Sequence, residues 1–196
     1  NKASLQKVNT LKSNFVGGLP AQVSVSGSSR SVENEKTVFL LLDLSGSMGF
    51  ANVGAEPSII TLRRALRQTI QKLDDNVLVS IVGFSNVATN LTDGLELASE
   101  LKQPERLDAV IARCNANGGT DIGCAFNRVA EQVRDIPDYD PNRAMIFFLT
   151  DGAFNGGSVA NLTSNFERST GLEGAFPLVL GLGIGRSANL HQVREV

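Results

Sequence analysis

The stretch LLLDLSGSMGF, Leu40 to Phe50, decides how the rest of the chain is read. Its first half completes TVFLLLD, Thr37 to Asp43. A short continuous apolar run that stops at a turn is the pattern of a strand buried on both faces. Its second half is unlike anything a buried strand requires. The run ends on a carboxylate, Asp43, and two hydroxyls follow at alternate positions, Ser45 and Ser47, with Gly46 between them. In a loop leaving a strand, alternate side chains can point to one side while a glycine lets the backbone turn tightly.

Working outward, the spacing predicts strands and helices in alternation. Ile59, Leu62, Leu66, Ile70 and Leu73 share one face of a helix from Ser58 to Leu73, with Ser58 placed to cap it. NVLVSIVGF (76–84) is a second buried strand, and Val87, Thr89 and Leu91 alternate as a short edge partner. Pro104 opens a helix with Leu107, Val110, Ile111 and Cys114 on one face. Another helix follows Thr120, with Ile122, Phe126, Val129 and Val133 inward. AMIFFLT (144–150) is a strand, Val159, Leu162 and Phe166 mark a helix, LVLGLGI (178–184) is a strand, and 187–195 could start a last helix. Such alternation implies an α/β fold: a doubly wound, mostly parallel sheet flanked by helices. Residues 1–35 differ, being rich in Ser, Asn, Gly and Lys. They read as an extended N-terminal arm with one candidate strand at Ala21–Val25, ahead of a domain spanning 36–196.

In an open α/β sheet, ligands sit beyond the carboxyl ends of the strands. Three polar loops are placed to converge there: Asp43-Leu-Ser45-Gly-Ser47, Gly118-Gly119-Thr120-Asp121 and Thr150-Asp151-Gly152. Their glycines permit the tight bends. Together they offer two carboxylates and three hydroxyls. All-oxygen donors with few charges suit a small hard cation that keeps some of its water, Mg2+ first and Mn2+ close behind. Taken singly, each has a plainer reading: an aspartate-capped turn, a helix cap at Thr120, a turn residue at Asp151. Asp121 reads first as a negative charge at a helix N-terminus. Met48 and Phe50 are each candidates for the core or for a rim facing a partner, with Met48 reading first as core, and 49–57 is a candidate specificity loop by its position.

DLSGS, GGTDIG and LTDG, in this order, resemble the von Willebrand factor A domain and its metal-ion-dependent adhesion site, over about residues 37–190. The resemblance implies a Rossmann-like fold and a non-enzymatic module. It implies metal ligation by Ser45, Ser47 and Thr120 through their hydroxyls, and by Asp43 and Asp151 directly or through water. The cation would be Mg2+, with Mn2+ or Ca2+ as substitutes. An open coordination position would take an Asp or Glu carboxylate from a partner protein. Members of the family usually continue past LVLGLGI with a further strand and a closing helix, for which 186–196 is too short. The expectation is a piece of a longer protein or complex, a sheet completed from elsewhere, or the arm filling the edge.

Other classes fare worse. A net charge of −2 gives no basic footprint for nucleic acid. No run of about 18 apolar residues exists to span a membrane. No signal peptide is visible at Asn1. Cys114 and Cys124 read as two semi-buried thiols; bridged, they would pin the loop that presents Thr120. The single histidine, His191, leaves little for a triad or a soft-metal site. The enzymatic alternative is metal-dependent phosphoryl transfer onto Asp43, but position 45 is Ser and the later strand tips carry no lysine. Gly83-Phe84-Ser85 lacks the closing glycine of a nucleophile elbow, and no G-x-x-x-x-G-K is present. Within the binding-module reading stand a surface or secreted adhesin and an intracellular scaffold in an ATPase-linked complex. The N-x-T tripeptides at Asn90 and Asn161 tilt slightly towards an extracellular or cell-surface setting.

Overall fold

The apolar runs do become strands. The computed structural model describes residues 36–51, 56–151 and 159–184. Its strands are β1 (Thr37–Asp43), β2 (Leu78–Phe84), β3 (Ala88–Asn90), β4 (Glu96–Leu97), β5 (Ala144–Thr150) and β6 (Leu178–Gly183). They form one sheet in the order β3-β2-β1-β5-β6, with β4 paired to β2 off this path. β1 runs parallel to β2 and β5, and β5 parallel to β6. Among the described residues only β3 and β4 run antiparallel, both against β2. The sheet is therefore mixed but mostly parallel, and β1, β2, β5 and β6 bring their carboxyl ends to one edge.

Central β1 explains why its sequence shows no polar alternation. All seven of its residues are buried. Val38, Leu40 and Leu42 pack on one face and Phe39 and Leu41 on the other, as the two-residue repeat of a strand dictates. The first face is covered by helices α1 (Ser58–Lys72), α2 (Ala98–Leu101) and α3 (Pro104–Ala112), through Leu62, Leu66, Leu101 and Leu107. The second is covered by α4 (Ile122–Arg134) and α5 (Val159–Thr170), through Phe126, Val129, Leu162 and Phe166. Rings of Phe84 and Phe148 stack at 5.5 Å across this layer.

Several local expectations need correcting. Ser58 does not cap α1. Pro57 is the cap residue and no side-chain cap bond forms, because Ser58 is already inside the first helical turn. Thr120 does not cap α4 either; Asp121 does, accepting from the Gly123 and Cys124 amides at 2.9 and 3.4 Å. The short edge partner expected at Val87, Thr89 and Leu91 does form, as β3 against β2, but the three residues do not share one environment: Val87 is 65% exposed and Leu91 is buried. The reason is a turn back towards β2, where the Leu91 N–H donates to the Ile81 carbonyl at 2.7 Å and Thr92 Oγ1 accepts from the Ile81 N–H at 3.0 Å. β4 and α2 are too short to leave a periodic signal. β6 is a strand as expected, yet Leu178, Leu180 and Leu182 are exposed along it. The candidate arm strand at 21–25 and the candidate last helix at 187–195 lie outside the described residues.

Both thiols are free, Cys114 buried and Cys124 half-buried. Burial pushes each up to about 11. Asn90-Leu91-Thr92 is built into the fold: Asn90 Oδ1 accepts from Gln132 Nε2 at 3.0 Å, and the buried Thr92 hydroxyl donates to the Gly94 carbonyl at 2.8 Å. Among the described residues no helix is long and apolar enough to cross a membrane.

Candidate metal centre

Parallel pairing sets the site. In register, Asp43 lies opposite Phe84 of β2, and Leu42 opposite Leu149 of β5. The tips of β1 and β5 are thus neighbours, and Thr150 Oγ1 donates to Asp43 Oδ2 at 2.6 Å. The other oxygen, Asp43 Oδ1, accepts from the Ser45 N–H at 2.9 Å. Ser45 and Ser47 hydroxyls lie 3.0 Å apart, so alternate positions of this loop do face one side. Gly46–Gly49 then forms a turn of 3-10 helix that sends Met48 into the core and leaves Phe50 76% exposed.

The second loop is tied to the first through the main chain. The Asn117 N–H donates to the Leu44 carbonyl at 2.7 Å, and the Gly46 N–H donates to the Gly118 carbonyl at 2.9 Å. Gly118 sits at φ +78°, where a side chain would be strained. On its far side this loop is tied to the turn after β2: the Asp121 N–H donates to the Ser85 carbonyl at 2.7 Å, and the Gly119 N–H to Asn86 Oδ1 at 2.8 Å. Thr120 is half-buried between these anchors, and its hydroxyl has no hydrogen-bond partner among the described residues. Asp151 is buried just past the tip of β5.

The structure therefore joins Asp43, Ser45 and Ser47 directly. It sets the charge of Asp151 against Asp43, and it brings Thr120 alongside by main-chain ties rather than by a side-chain bond. Asp121 is occupied as the cap of α4. Two further residues take part in this arrangement. Thr150 holds Asp43, and its only signal was its place before Asp151. Asn86 holds Gly119, and nothing in sequence links two residues so far apart.

The electrostatics favour a cation. Asp43 is completely buried and its carboxyl is held above the usual range. Burial is the main cause, the Ser45 and Thr150 donors oppose it, and the negative charge of Asp151 adds to it. Removing a carboxylate from water beside a second one is costly unless a positive charge compensates. Among the described residues no three of His, Cys, Asp and Glu cluster as a zinc or all-carboxylate site would. Two carboxylates with neutral hydroxyls fit a hard divalent cation better than a soft one.

Comparison with known proteins agrees with this architecture. The von Willebrand factor type A domain profile matches residues 38–153. A von Willebrand factor type A protein from Catenulispora acidiphila superposes with a TM-score of 0.59 at 22% identity, covering 82% of this chain and 35% of that one. The manganese-loaded TRAP protein of Plasmodium vivax gives 0.58 at 20% identity, over 82% and 61%. The conserved hypothetical protein BatB of Bacteroides thetaiotaomicron gives 0.54 at 17%, over 76% and 66%. These likenesses carry the fold, and the chain spans about a third of the length of the first. No curated protein matches the sequence.

Proposed function

This chain belongs to the von Willebrand factor type A domain family, and from that premise we propose that it is a divalent-cation-dependent protein-binding module. Domains of this family are typically non-enzymatic binding modules and often bind divalent cations. On our reading, Asp43, Ser45, Ser47, Thr120 and Asp151 hold Mg2+, or Mn2+ or Ca2+ in its place. Residues 36–196 form the module and 1–35 an arm ahead of it. The carrying observation is the buried carboxyl of Asp43, raised by burial and by the charge of Asp151.

When bound, the cation supplies Lewis acidity and an open coordination position for an Asp or Glu carboxylate of a partner protein. The chain's own residues set that affinity. Ser45, Ser47 and Thr120 contribute neutral oxygens, so only two negative charges face the cation and a third remains welcome. The Ser45 N–H and the Thr150 hydroxyl fix Asp43 in one orientation. Phe50 and Val87 stand exposed on the loops either side of the segment that carries Thr120, as apolar surface for the partner. A phosphoryl-accepting role for Asp43 fits less well, because the residue is fully buried and both oxygens already accept hydrogen bonds.

Calorimetric titration of Mg2+ into metal-free protein tests the reading. Saturable binding is expected in the wild type, lost in Asp43→Ala and Thr120→Ala with the circular dichroism spectrum retained. No saturable heat in the wild type, or unchanged binding in both variants, overturns it.

A further inference from the structure

Between Asn117 and Asp121, three ties to neighbouring loops run main chain to main chain: Asn117 to Leu44, Gly118 to Gly46, and Asp121 to Ser85. The fourth is different. The Gly119 N–H, directly before Thr120, donates to a side chain, Asn86 Oδ1, at 2.8 Å. The two residues are fitted to each other, since a Cβ on Gly119 would stand 2.4 Å from that same oxygen. Asn86 is itself exposed and packs into neither core layer. Its amide spans the gap between the β2–β3 turn and the loop carrying Thr120. Gly118 and Gly119 are the freest backbone positions in that loop, so a single external acceptor there has large leverage on the next residue.

We propose that Asn86 is a positioning residue for Thr120: by holding the Gly119 N–H, it fixes where the Thr120 hydroxyl is presented to the cation. This rests on the reading of Thr120 as a metal ligand. Partners that orient metal ligands without touching the metal contribute substantially to affinity. Because the residue is exposed, its removal should leave global stability nearly unchanged. That separates positioning from a structural part in the core.

The test uses Asn86→Ala and Asn86→Asp in the full chain. Asp keeps an oxygen acceptor at the same reach, and about 0.5 M salt screens its added charge. Three quantities are measured: Gly119 amide exchange by NMR in metal-free protein, Mg2+ affinity by calorimetry, and the thermal midpoint in EDTA. Expected for Asn86→Ala are faster exchange at Gly119, affinity about tenfold weaker and an almost unchanged midpoint. Asn86→Asp should restore both exchange protection and affinity. Faster exchange in Asn86→Ala with unchanged affinity overturns the positioning role and leaves the metal site standing. A wild type that binds no Mg2+ overturns both.

Discussion

The carboxyl of Asp43 lies fully buried between two hydrogen-bond donors and beside the charge of Asp151. That arrangement lowers the stability of the metal-free fold, and its sign can be worked out. The folded carboxyl sits above its ordinary value of 3.8, so the folded chain holds the proton more tightly than the unfolded one. Its contribution is complete below 3.8 and is lost as pH rises through the raised value. Asn at this position keeps an acceptor for the Ser45 N–H and removes the charge. Asp43→Asn should therefore be more stable than wild type in EDTA at neutral pH, by about 1 kcal/mol. The gap should close as pH falls towards 3.8. Thermal melts of both proteins across that range check it; a wild type more stable at neutral pH would contradict it. The grouping of Asp43, Ser45 and Ser47 was legible in the sequence because three polar side chains within five residues leave a local pattern. Thr150 and Asn86 were not, because their roles come from strand adjacency and loop contact, which spacing along the chain does not record.

At the scale of elements, the connection from α3 to α4 is held at both ends. At its start, Arg63 of α1 donates to the Cys114 carbonyl at 3.0 and 2.6 Å and to Asn115 Oδ1 at 3.2 Å. Arg113 donates to the Asn90 and Leu91 carbonyls at 2.7 and 3.1 Å. At its end, the Asp121 cap begins α4. Arg63→Ala removes three charge-assisted bonds and leaves the Cys114 carbonyl without its donor. A loss of about 1.5–3 kcal/mol is expected, read as a lower urea midpoint at unchanged slope. A loss within error would show that water replaces the guanidinium. α1, α4 and β5 were readable because long amphipathic or apolar runs carry their own period. β4 and α2, at two and four residues, were not. Nor was the exposure of Leu178, Leu180 and Leu182, because an apolar run reads the same at a covered edge and a bare one.

For the whole molecule, three loops from separate strands and helices must be held together for a cation to bind. Binding should therefore stabilise the entire fold. At Mg2+ near a hundred times its dissociation constant the gain is about 2.7 kcal/mol. For a chain of this size that raises the thermal midpoint by about 5–10 °C over EDTA. Scanning calorimetry with and without Mg2+ measures it; Asp43→Asn should abolish the difference. An equal shift in that variant would place the bound metal elsewhere. What the sequence determined by itself was the alternation of buried strands and amphipathic helices, hence a mostly parallel sheet with its parallel strand tips on one edge, and the polar residues that end those strands. Hydrophobic periodicity and local turn chemistry are short-range properties, and short-range properties are written in order along the chain. The tertiary structure alone decided that Thr150 grips Asp43, that burial, with the charge of Asp151 adding to it, raises the Asp43 carboxyl, that Asn86 closes on Gly119, and that β6 shows its leucines. Each of these depends on which distant segments pair, and pairing is settled by the packing of the whole core rather than by any one segment.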